Sequence, residues 1–274
     1  MAFIDRIGID VGNKLPIEEA IAWAAGHGIK AIDVQTDIFP NALDSFDEKR
    51  CTRVRNACDK TGVTIALHTL SAVNTAEIAP FLSDAADRYL EAYITLAARL
   101  EAKWVIVHGG YHFTADKTTR QQAAIARITR IVAHAERTNV QVLLENLNGE
   151  PERAEVHYMP DTLADTRTFL TQLSSPNLNW SFTINHAHYD PIGIAGWVRR
   201  MDMSRCAEIR VADNNGLYEL HMHPGTGTTD FIETFRLIEA TGYRGPYTCA
   251  WGTLEQMREG RIYLAEKARE AGIE

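Results

Sequence analysis

The most constraining feature of this 274-residue chain is an unbroken alternation of two kinds of segment. Short β-rich runs are expected at Arg6–Val11, Lys30–Gln35, Thr64–His68, Trp104–His108, Val140–Glu145, Leu178–Thr183, Glu208–Ala212 and Pro246–Ala250. Each is followed by a helix-length amphipathic stretch: Pro16–Gly26, Asp47–Thr61, Ile78–Leu100, Thr118–Thr138, Thr162–Leu173, Pro191–Arg200, Asp230–Thr241 and Leu254–Ala271. Uninterrupted alternation implies parallel strands joined by right-handed crossovers. Eight such units over about 250 residues match the count and length of a (β/α)8 barrel. The expected fold is therefore α/β, a single TIM barrel spanning residues 1–274. A doubly wound open sheet is the rival, but it would carry a Gly-rich phosphate turn after its first strand. Val11-Gly12-Asn13-Lys14-Leu15 is not that turn.

The runs share a second property: several end in a polar group able to do chemistry. Val142-Leu143-Leu144 stops at Glu145, Ile65-Ala66-Leu67 at His68, and Val105-Ile106-Val107 at His108. Ile209 leads to Arg210 and Asp213. An unpaired carboxylate beside a core is costly, so Glu145 is expected to face a pocket, a metal or a cation. In a barrel the active site lies at the carboxyl ends of the strands. All these groups would then ring one cavity. Two His-x-His pairs, His186/His188 and His221/His223, also follow strand ends, and imidazole suits both proton transfer and metal ligation. The longest irregular stretch, 146–161, follows Glu145 and is expected to act as a lid. Gly225-Thr226-Gly227 offers backbone N–H groups to a phosphate or carboxylate, or else forms a tight loop before the Asp230 cap.

Bulk properties narrow the function classes. The net charge is −8, with 45% hydrophobic residues. An acidic chain gives no general support for nucleic-acid or anionic-membrane binding. No apolar run approaches the ~20 residues of a membrane span, and the first residues enter a strand without a signal-like apolar region. A cytoplasmic protein with a small-molecule substrate is expected. Cys51, Cys58, Cys206 and Cys249 form no Cys-x-x-Cys and read as structural.

A family resemblance rests on residues in order along most of the chain. They are Val105–Gly110, Leu143-Leu144-Glu145-Asn146, Asn185–His188, Val211–Gly216 and His221–Phe231, the last ending Gly225-Thr226-Gly227-Thr228-Thr229-Asp230-Phe231. The chain resembles the xylose isomerase-like TIM barrel superfamily, which includes sugar isomerases and epimerases and the endonuclease IV group. The resemblance implies one divalent metal held by Glu, Asp, His and Glu from four strand ends, and it allows a homo-oligomer. Glu145 matches the first ligand. Thr183, Arg210 and the carboxylate-free Thr248-Cys249-Ala250-Trp251 stand where the other three belong. Threonine is a poor substitute for a carboxylate, and arginine places a fixed cation where the metal would be. Two other sets resemble the further metal positions of the endonuclease IV group: His68/His108/Glu145 and His186/Glu219/His221. Zinc suits the donor types, and manganese is a second choice; the cofactor is left open.

The leading expectation is an isomerase, epimerase or lyase acting on a small sugar, polyol or hydroxy-carbonyl compound, without the usual metal. Glu145, His186, Arg210 and His108 would be catalytic. Glu145 would be the acid/base, His186 or His108 its partner, and Arg210, paired with Glu145 or with a developing oxyanion, the substitute cation. His68, His188, Asp213, His221 and Trp251 would bind substrate. The alternatives are a metal enzyme with a relocated ion and a non-catalytic ligand-binding barrel.

Overall fold

A computed structural model describes residues 2–274. Eight parallel strands close into a barrel: β1 Ile7–Gly12, β2 Ala31–Val34, β3 Thr64–His68, β4 Val105–Val107, β6 Val142–Glu145, β8 Leu178–Thr183, β9 Cys206–Val211 and β10 Tyr247–Cys249. Neighbours around the barrel run β1-β10-β9-β8-β6-β4-β3-β2, and β1 pairs with both β10 and β2. The helices on the outside are α1 Ile17–Gly26, α2 Glu48–Thr61, α3 Pro80–Leu100, α4 Lys117–Thr138, α5 Leu163–Gln172, α7 Gly193–Arg200, α8 Phe231–Ala240 and α9 Leu254–Glu270. This is the TIM barrel expected from the alternation.

Helix ends follow local chemistry. Asp47, Thr162 and Asp230 accept N–H bonds from the first turns of α2, α5 and α8. Thr253 and Gln256 form a reciprocal capping box at α9. Gly62 ends α2 at φ 70°, a left-handed position that glycine takes at no steric cost.

A two-stranded ribbon and a short helix were not expected. Tyr111–Phe113 (β5) and Val156–Tyr158 (β7) pair antiparallel as a separate ribbon. The stretch 146–161, expected to be an irregular lid, thus contains a strand anchored to the loop after β4. Ile184–His188 (α6) forms a short helix directly after β8.

Strand alternation explains where the core and the site lie. Ile7, Ile9, Val11, Ile32, Val34, Ile209 and Val211 are buried against the helices. The intervening residues of the same strands, Gly8, Asp10, Ala31, Asp33, Glu208 and Arg210, face into the barrel. Register sets Asp10 beside Asp33 and Asp33 beside Ala66; it also sets Arg210 beside Thr248 and Thr183. The interior is therefore polar at the level of the strand ends. No described helix is long and apolar enough to cross a membrane.

Candidate active site

A cavity of about 430 Å³ opens at the carboxyl ends of the strands. His68, His108, Glu145, His186, Arg210 and His221 all line it, as the strand-end pattern implied. Asp10, Glu150, Tyr158 and Glu219 join them.

Glu145 is 3% exposed, and its two oxygens face different partners. Oε1 accepts a 2.5 Å hydrogen bond from Thr183 Oγ1 and lies 3.8 Å from Arg210 Nε. Oε2 lies 3.1 Å from His108 Nε2 and 3.2 Å from His68 Nε2. Burial raises the carboxyl pKa, but the bonds to His108 and His68 and the charge of Arg210 outweigh it. Glu145 is held well below the usual carboxylate range. His68 is pushed up to about 9: burial and Arg210 act downward, and Asp10 and Glu145 overcome them. His108 moves down because burial dominates.

Arg210 forms the expected ion pair with Glu145, at 3.8 Å, but its hydrogen bonds go to other carboxylates. Its Nη2 donates to Asp10 Oδ2 and its Nη1 to Asp33 Oδ2, with Glu208 Oε1 3.8 Å away. Burial works against the guanidinium charge, but Asp10, Asp33, Glu208 and Glu145 hold it charged. One cation thus answers four carboxylates. Its charge is shared among these four carboxylates while Arg210 also lines the cavity. Glu208 is itself held by Ser181 and Thr248.

Asp10, Asp33 and Glu208 were not singled out from sequence. Each had a usable signal: a lone carboxylate between apolar neighbours inside a strand, as in Ile9-Asp10-Val11 and Ile32-Asp33-Val34. Such a residue must face away from the helices.

A second cluster joins His186, Glu219 and His221. His221 Nε2 lies 2.8 Å and His186 Nε2 3.3 Å from Glu219 Oε1. His186 Nδ1 donates to the Asn146 carbonyl and His221 Nδ1 to the Ala250 carbonyl, each at 2.8 Å. A carbonyl only accepts, so both Nδ1 atoms carry hydrogen. In the neutral tautomer both Nε2 lone pairs then point at a carboxylate oxygen. The cluster needs positive charge at its centre, as protons or as a cation. Consistently, burial lowers His186 but Glu219 raises it overall, and the two imidazoles hold Glu219 down at about 2 against burial.

Three expected substrate contacts lie outside this cavity. Asp213 accepts from the backbone N–H of Asn214, Gly225, Gly227 and Thr229, so it pins its own loop. The carboxylate met by the Gly225-Thr226-Gly227 backbone is therefore the chain's own. His188 is bonded to Thr228 Oγ1 at 2.9 Å. Trp251 packs edge-on to His223 and against Gly260; Ala250 lines the cavity in its place.

The usual four-ligand metal site does not fit these residues, because Thr183 and Arg210 occupy it. The two triads do fit a divalent ion. His68 Nε2, His108 Nε2 and Glu145 Oε2 stand 3.1–3.2 Å apart. Ligand atoms at about 2.0–2.1 Å from a tetrahedral zinc stand about 3.3 Å from one another. The backbone acceptors behind His186 and His221 are the kind of partner that orients ligating imidazoles.

The family model described as xylose isomerase-like TIM barrel matches residues 21–267. The chain belongs to this family. Among solved structures, a D-tagatose 3-epimerase-like protein is 20% identical, with a TM-score of 0.84 over 97% of this chain and 98% of its own. D-psicose 3-epimerase from Clostridium cellulolyticum H10 is 15% identical, with a TM-score of 0.79 over 97% and 99%. A 3-keto-D-glucoside 4-epimerase from E. coli is 17% identical, with a TM-score of 0.75 over 95% and 99%. At these identities the likeness shows the fold. A curated relative, an uncharacterised protein of Methanocaldococcus jannaschii, is 24% identical over 196 residues. The match covers 68% of this chain and 64% of the length of that relative.

Proposed function

We propose that this protein is a sugar isomerase or epimerase that moves a proton next to a carbonyl in a small hydroxy-carbonyl substrate. One observation carries the reading: two carboxylate–imidazole groups, Glu145 with His68/His108 and Glu219 with His186/His221, line one cavity. Isomerisation needs a base and a return of the proton; epimerisation also needs delivery to the opposite face. Both carboxylates stay ionised in the cavity. Each is a weak base alone, and the adjoining imidazoles give the abstracted proton somewhere to go. The epimerases among the structural neighbours support the substrate class, small keto-sugars.

Arg210 acts here as the fixed counter-charge that keeps Glu145 ionised, rather than as a contact to substrate. An ion held by His68, His108 and Glu145 would supply electrophilic polarisation of a substrate oxygen. Glu145 would then be occupied as a holder, and the proton work would fall to Glu219, His186 and His221. Product analysis by chromatography over a panel of ketohexoses and pentuloses, with and without added zinc or manganese, tests the reading. Interconversion by the wild type, lost in Glu145→Gln or Glu219→Gln, supports it. No interconversion of any panel sugar under either condition overturns it.

A further inference from the structure

The N-terminal end of the barrel carries a second cavity of about 440 Å³, opposite the candidate active site. Its origin lies in the strand sequences. Ala66 and Thr248 point into the barrel beside Asp33 and Arg210, and Ala31 and Thr64, paired with each other, lie two residues nearer the N-terminal end. TIM barrel interiors are usually filled by bulky branched side chains. These four are too small to do so. Gly8, beside them, cannot be larger: a Cβ there would stand 2.6 Å from the Ala31 carbonyl oxygen.

The mouth of this cavity runs against the charge of the chain. The protein carries −8 overall, yet Arg6, Lys30, Lys103 and Arg244 line the opening against two acidic residues, Asp5 and Asp33. Asp33 is nearly buried at the inner end, where burial and Glu208 raise its pKa well above the ordinary value. Arg6 is committed to Glu239 through two hydrogen bonds. Lys30 and Lys103 are exposed and, among the described residues, form no ion pair. Trp104 adds a buried indole N–H that has no acceptor, and Ile32, Ile65 and Pro246 supply apolar wall.

Unpaired cations around an apolar hollow call for a ligand of two parts. We infer that this cavity binds a small organic anion, a carboxylate, sulfonate or phosphate on an apolar body. The lysines at the mouth meet the anionic group, and the apolar part enters the hollow lined by Ile65 and Ala66. The inner wall includes Asp33, which holds Arg210, so an occupant touches the network behind the active site.

The test uses 8-anilinonaphthalene-1-sulfonate as the probe, read by its fluorescence on titration into the whole protein. The wild type should show one saturable site per chain. Lys30→Glu/Lys103→Glu should weaken it at least tenfold, and Lys30→Arg/Lys103→Arg should retain it. Both lysines are exposed and lie away from the active site, so circular dichroism melting should be unchanged and confirms that each variant is folded. Absence of a saturable site in the wild type, or equal affinity in the folded Glu variant, overturns the inference. No turnover is read, so the result is independent of the proposed function.

Discussion

Arg210→Met removes one buried cation from among four carboxylates and leaves their positions otherwise filled. Asp33, Glu145 and Glu208 are at most 3% exposed, so water cannot replace the guanidinium for them. Breaking a buried pair by deleting one partner costs about 3–5 kcal/mol, because the survivor stays buried and uncompensated. Domains have only about 5–15 kcal/mol to lose. For a chain of this length the melting temperature should fall by about 5–9 °C. The pH dependence separates this cause from lost packing. Asp10 is depressed, since Arg210 and His68 outweigh burial. The stability it confers is present above the unfolded value of about 3.8 and lost as pH falls through the folded one. Asp33 is raised, so its contribution has the opposite sign and erodes as pH rises from 3.8 toward its folded value. The wild-type advantage through Asp10 should therefore shrink below about pH 4. Adding Asp33→Asn to Arg210→Met should recover part of the loss, since one fewer carboxylate is left unpaired. Urea unfolding at pH 7 and at pH 3.5 reads all three. A loss under about 1 kcal/mol at pH 7 would refute the argument, as would a loss that grows on acidification.

In chelator-treated protein, His68 should make stability pH-dependent on the alkaline side. Its raised pKa means that the contribution is full below 6.5 and disappears as pH rises toward about 9; the drop should be about 2–3 kcal/mol and absent in His68→Gln. Thr183→Val removes the hydrogen bond to Glu145 Oε1. It should cost about 1–3 kcal/mol in urea unfolding and lower turnover, whereas Thr183→Ser should keep both near wild type. Zinc should raise the melting temperature of the chelator-treated protein, and His68→Ala/His108→Ala should weaken that response; an unchanged melting temperature on saturation with zinc would remove both triads as ion sites.

The alternation of strands and helices was legible because each unit is local: period two for the strands, helical spacing for the rest. Predicted strand ends lie within two residues of the observed ladders, as at Val140 against Val142, and Thr64–His68 and Leu178–Thr183 coincide with them. The ribbon of Tyr111–Phe113 with Val156–Tyr158 was not legible. Each strand has three residues, too few for a period, and the pairing is long-range. The same limit applies inside the site. His68, His108 and Glu145 could be placed together because all end strands. The hydrogen-bond partners of Arg210 lie 177 and 200 residues away along the chain, and only barrel closure brings them together. Asp213, His188 and Trp251 follow strand ends too, but loop path decides where a side chain points. Asp213 turns inward to its own loop, and Trp251 turns toward α9.

Solvent deuterium incorporation tests the central claim most directly. A keto-sugar that the enzyme accepts is incubated with it in D2O, and the C–H signal next to the carbonyl is followed by NMR. Proton transfer through Glu145 and Glu219 predicts loss of that signal with wild type. In Glu145→Gln or Glu219→Gln the rate should fall at least about 10²-fold. The folded double variant Glu145→Gln/Glu219→Gln exchanging the proton as fast as wild type would contradict the account.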